Sequence, residues 1–79
     1  MKLKVISPEN VIFEGEVDSV TLPGVMGCFT VLKNHASLIS TLTSGELVYM
    51  LAGSSEEQRL DITGGLVDVD NNIISVCLY

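Results

Sequence analysis

Apolar residues in this chain never hold a helical spacing for long; they alternate with polar ones over short runs that end at turn-forming residues. The runs fall at residues 3–7, 11–13, 16–22, 28–33, 38–42, 46–52, 58–63, 66–69 and 73–78. Between them lie Ser7-Pro8-Glu9-Asn10, Pro23-Gly24, Thr43-Ser44-Gly45, Gly53 to Glu57, Gly64-Gly65 and Asp70-Asn71-Asn72, residues that favour turns and bulges. Short β-runs at regular spacing predict an all-β chain, a sandwich or flattened barrel. Gly15 interrupts the second run, where a bulge or a close backbone approach is expected.

Leu22 to Ile39 is the most distinctive stretch. Pro23, Gly24 and Gly27 predict a tight reversal. Beyond it Cys28, Thr30 and Leu32 fall on one side of a strand and Phe29, Val31 and Lys33 on the other. Asn34 and the sole histidine, His35, then interrupt the apolar pattern.

This stretch holds the chain's single nucleophile–base combination, Cys28 with His35, and no third group is identifiable to orient the imidazole. A reactive cysteine also needs an electropositive setting, and only Lys33 is near. The acids are scattered singly on outward strand positions and read as a solvated face. Neither Gly24-Val25-Met26-Gly27 nor Gly64-Gly65 has the strand–turn–helix setting of a phosphate loop. The reading is therefore a non-enzyme that binds no cofactor and no metal.

Seventy-nine residues predict one domain over 1–79, near the size at which a lone core is only marginally sufficient. Hydrophobic residues make up 47%, and the mean hydropathy is +0.46. A domain this small cannot enclose all of that, so an exposed apolar patch is expected, best read as a partner surface. Ten acids oppose Lys2, Lys4, Lys33 and Arg59, for a net charge of −6. That balance argues against nucleic acid and against direct adsorption to an anionic membrane. No apolar run is long enough to span a bilayer as a helix, and Met1 to Lys4 does not open a signal peptide. The expectation is a soluble, unexported chain that meets a membrane only through another protein. Cys28 and Cys77 lack metal-ligand spacing and are expected to be reduced, partly buried hydrophobes.

Leu22 to Leu47 resembles the segment of the F-type ATP synthase epsilon subunit that leads into its histidine-containing PGHAPL-like turn. The likeness continues in Val5-Ile6-Ser7-Pro8-Glu9 and Phe13-Glu14-Gly15-Glu16-Val17, and in Gly64 to Val69 followed by Asn72 to Val76. It covers nearly the whole chain in the family's order. The resemblance implies a flattened β-sandwich of about ten short strands. It also implies a non-catalytic central-stalk subunit at the cytoplasmic face of the bacterial inner membrane. Such a subunit clamps gamma, contacts the ring of c subunits, and couples ion flow to ATP synthesis in the catalytic head.

Carried over position by position, Met26, Gly27, Cys28, Lys33, Asn34 and His35 match the loop that faces the c ring, His35 being the motif's histidine. Ser7 and Ser40 match the side that faces gamma. Two departures stand out: Cys28 replaces an acid common in relatives, and Ser37 replaces a proline, which leaves the loop less stiff. The chain stops where most relatives continue into a C-terminal helical hairpin, so neither hairpin-type inhibition of hydrolysis nor an ATP site is expected. A β-sandwich adaptor for some other protein is the alternative reading.

Overall fold

The computed structural model describes residues 1–79. Eight strands follow one another: β1 Lys2–Ile6, β2 Val11–Gly24, β3 Gly27–Leu32, β4 Leu38–Leu42, β5 Gly45–Leu51, β6 Glu57–Ile62, β7 Gly65–Asp70 and β8 Ile73–Leu78. No helix forms. They build one sheet in the order β1-β8-β7-β4-β2-β5-β6, with β3 on β2 and a further β1–β2 pairing. The all-β, flattened sandwich expected from the sequence is what forms.

The strand count falls short of the ten or so implied by the resemblance, chiefly because β2 is one ribbon of 14 residues. Its first half pairs with β1 and its second half with β3 and β5, so β2 belongs to both halves of the folded-over sheet. Gly15 does not break it. An added Cβ there would sit 3.1 Å from the Phe13 ring, which covers the glycine and stacks on Tyr49 at 4.5 Å between centroids.

The bend comes instead from a bulge between Val17 and Ser19. Strict alternation would put Val17 and Val20 on opposite faces; the extra residue, Asp18, turns both inward, and both are buried. Asp18 faces out and accepts a hydrogen bond from Gly53 N at 3.2 Å.

The core lies between the two halves. Leu3, Leu22, Leu47, Ile74, Val67 and Val76 are fully enclosed there, each contributing roughly 1.5–3 kcal/mol relative to exposure. β1 and β8 pair in parallel and join the two ends of the chain. The β7–β8 turn has φ of 49° at Asn71 and 60° at Asn72, the left-handed pair that matches the twist of a two-residue hairpin.

One composition-based expectation fails. Cys28 and Cys77 are both exposed, because each occupies an outward position, beside Thr30 on β3 and beside Ser75 on β8. Strand alternation outweighs the usual preference of cysteine for the interior.

Candidate interaction site

The cross-strand registers of β4, β7, β8, β1 and β2 assemble one outward face row by row. Thr41 lies opposite Leu66, Leu66 opposite Cys77, Cys77 opposite Ile6, and Ile6 opposite Val11. All but the first are apolar; Val11 is 55% and Leu66 43% exposed. The neighbouring row reads Ile39, Asp68, Ser75, Lys4 and Glu14, and Ile39 at its end is 71% exposed. A band of apolar side chains beside a charged row is the geometry of a protein-docking surface rather than of scattered greasy positions.

Ser7 directly follows Ile6, at the margin of this band. Its hydroxyl accepts from Asn10 N at 3.2 Å and closes the turn to β2. Ser40 is placed differently. It sits between Leu38 and Leu42, opposite the buried Val67, on the inward side of β4. The two serines therefore do not share one surface.

The six ring-matched residues do not form one loop. Gly27 to Leu32 is strand β3, which carries Met26, Gly27 and Cys28 at its start and Lys33, Asn34 and His35 beyond its end. Five consecutive strand residues, Cys28 to Leu32, span about 13 Å. The same separation keeps Cys28 away from His35, so no nucleophile–base pair exists. Val25 and Met26 form the tip between β2 and β3, with Met26 96% exposed. Val25 N donates to Thr41 O at 3.1 Å and holds this tip against β4.

At the other end, His35 N donates to Leu32 O at 3.1 Å around Lys33 and Asn34, and Asn34 takes a φ of 65°. The exposed His35 ring hydrogen-bonds through Nδ1 to Ala36 O at 2.7 Å. A carbonyl only accepts, so Nδ1 carries the proton.

Sequence reasoning missed what holds this loop. Asn34 N donates to Asn72 Oδ1 at 2.6 Å, and Asn72 Nδ2 donates back to Asn34 Oδ1 at 2.9 Å. Ser37 Oγ donates to Asp70 Oδ1 at 2.8 Å. The β7–β8 turn thus clips the loop from below, and the serine that replaces a stiffening proline is tied down by its hydroxyl. The only advance signal is two asparagines at turn positions, and only the register of β4 on β7 brings them together.

Replacing Asn72 by glycine keeps the left-handed backbone and deletes both side-chain hydrogen bonds. The expected cost is about 1–2 kcal/mol, with amide exchange faster over residues 33–37 and unchanged in β5 and β6. Equal exchange in that loop would show the clip to be idle.

The fold and its surfaces define a small all-β domain with an apolar outward band across four of its strands. The family model for the β-sandwich domain of ATP synthase delta/epsilon chains matches residues 1–78, and the chain belongs to that family. It is 40% identical over 76 residues to the ATP synthase epsilon chain of Leptospira interrogans, covering 96% of this chain and 58% of that one. With the epsilon chain of Chlorobium limicola it shares 39% over 71 residues, 90% of this chain and 80% of that one. The chain thus spans little more than half of the Leptospira relative. A chain of the Euglena gracilis mitochondrial ATP synthase, in an OSCP/F1/c-ring structure, superposes with a TM-score of 0.88 at 22% identity, over 96% of this chain and 48% of that one. A chain of the Tetrahymena thermophila mitochondrial central stalk/c-ring structure does so at 0.82 and 17%, over 99% and 62%. Both show the same fold.

Proposed function

We propose that this chain is the epsilon-type, non-catalytic subunit of an ATP synthase central stalk, seated on gamma and facing the c ring. Its work is mechanical: it couples ion flow through the ring to ATP synthesis in the catalytic head. It is peripheral to the bacterial inner membrane on the cytoplasmic side and needs no cofactor. The family match over residues 1–78 carries this reading. The band Leu66, Cys77, Ile6 and Val11 supports it, offering an apolar seat for gamma with Ser7 at its margin. Ser40, assigned to the gamma side by the family likeness, faces inward from the middle of β4 and does not line that band.

The ring-facing groups are the two ends of β3, with Met26, Gly27 and Cys28 at one and Lys33, Asn34 and His35 at the other. Both reach one partner only when the β3 margin lies along it. That orientation presents polar backbone and one cation to the ring's loops.

The two exposed cysteines test the reading separately. Coexpressed with gamma of the same genome, the chain is expected to co-elute with it in size exclusion. In that complex Cys77 should resist alkylation at least tenfold while Cys28 stays reactive. Adding the ring should then protect Cys28. Failure to co-elute while the domain is folded would sink the rotor reading and leave the adaptor.

A further inference from the structure

Three strands at the sheet margin have a neighbour along most of their length on one side only: β6, β3, and β4, which meets β2 only at its Leu42 end. β6 carries Glu57, Arg59 and Asp61, the charges with which natural sheets keep free edges apart. β3 reads Gly-Cys-Phe-Thr-Val-Leu, with no charge and no proline. Its free backbone groups can be identified. Antiparallel partners alternate between pairs that exchange hydrogen bonds and closer pairs that do not. Cys28 lies opposite Pro23, which has no N–H to exchange, and Pro23 O accepts instead from Thr43 N at 2.8 Å. Thr30 lies opposite Thr21 with their hydroxyls 2.9 Å apart, as in the closer pairs. Cys28 and Thr30 therefore turn their N–H and C=O groups away from β2, to the open side, as Leu32 does its N–H; the Leu32 C=O already accepts from His35 N at 3.1 Å.

We propose that β3 is a self-pairing edge: two copies of this chain join β3 to β3, antiparallel, about a two-fold axis at Thr30. In that register Thr30 exchanges hydrogen bonds with Thr30 of the other copy, and Leu32 N–H of each donates to Cys28 O of the other. The open N–H groups of Thr30 and Leu32 and the open C=O groups of Cys28 and Thr30 are satisfied at once, and Leu32, 57% exposed in the single chain, gains an apolar neighbour. Phe29 and Val31 continue the inner face across the junction. A chain of net charge −6 repels its copies, and β3, with no charge over its six residues, is a margin where that repulsion opposes contact little. The contact is isologous and closes as a dimer. The inference does not rest on the rotor reading. It does use the edge that reading turns toward the ring, so a paired chain and a ring-bound chain exclude each other.

Sedimentation equilibrium of the isolated chain over a roughly hundredfold dilution series should show a monomer–dimer equilibrium. Thr30→Lys, which sets two cations on the axis, and Thr30→Pro, which removes the outward N–H, should each weaken it at least tenfold; both also lose the hydroxyl contact to Thr21 within the chain. Glu57→Lys on β6 should leave it unchanged. Thr30→Cys with Cys28→Ser and Cys77→Ser should form an intermolecular disulfide on oxidation, since hydrogen-bonded strand partners sit about 5.5 Å apart at Cα, within disulfide reach. A chain monomeric throughout the series, or a dimer unaffected by both Thr30→Lys and Thr30→Pro, would overturn the proposal. So would a folded triple variant that forms no disulfide at concentrations where the parent dimerises.

Discussion

Replacing Gly65 by alanine is expected to destabilise the domain more than any other single-methyl addition in the chain. Gly65 opens β7 between Leu42 of β4 and Leu78 of β8, and it is buried. A Cβ built on it points straight at Cys77 O and lies 3.2 Å from Leu78 Cα. Both obstacles are backbone, so no side-chain rotation relieves the clash. β8 has to move away from β7, and β8 is also the strand that holds β1. Overpacking of this kind costs about 1–3 kcal/mol, and more where backbone must shift. A domain of this size has only about 4–12 kcal/mol in total. The melting temperature should drop by about 10–20 °C, each kcal/mol being worth about 4–8 °C at this length.

Gly27→Ala is the informative comparison. Nothing lies within 4 Å of a Cβ there, but its φ of 126° suits only glycine. Its loss should come from backbone strain alone, about 1–2 kcal/mol, and should stay local to the tip at Met26. Urea melts of both variants separate the two causes. A Gly65→Ala protein within about 0.5 kcal/mol of the parent would mean that β7 and β8 are not packed as closely as they stand.

Gly65 also marks where the sequence stops being legible. Gly64-Gly65 reads as a bend, and Gly64 with its φ of 145° is one. That Gly65 is needed for closeness to β8 depends on a pairing no local pattern reveals. The strands were legible because period-two alternation is local: Leu60 and Ile62 inward, Arg59 and Asp61 outward, as β6 has them. Alternation failed where a bulge intervened, at Asp18, since an extra residue in one strand shows only against its partner. His35 stands out as the sole histidine in a turn. Its support, Asn72 and Asp70, comes from a hairpin that becomes adjacent only through β4 on β7. The same holds for the apolar band, whose members come from four strands and look unremarkable in each.

That band predicts the largest functional effect. Leu66→Lys with Val11→Lys, and the same pair changed to glutamate, should each abolish capture by gamma, while the isolated domain melts within a few degrees of the parent. Both side chains already face solvent, so charging them removes no core contact, and surface substitutions of this sort shift stability by about 0.5 kcal/mol or less. Burying a charge against an apolar partner surface is another matter. Central contact residues are worth about 2 kcal/mol or more each, and an unpaired charge adds its desolvation cost. Two together should weaken binding by at least a thousandfold, about 4 kcal/mol.

Using both signs separates desolvation from long-range electrostatics. If only the glutamate pair failed, the domain's acidity would be the cause and the band would not be the seat. Glu56→Lys, in the loop before β6, changes net charge with no part in the band and should bind like the parent. Parental capture of gamma by both double variants would remove the band from the interface and with it the placement of Ser7 beside gamma. The family membership would stand, and the seat would then have to be sought on the opposite face, around Leu32, Val48 and Met50.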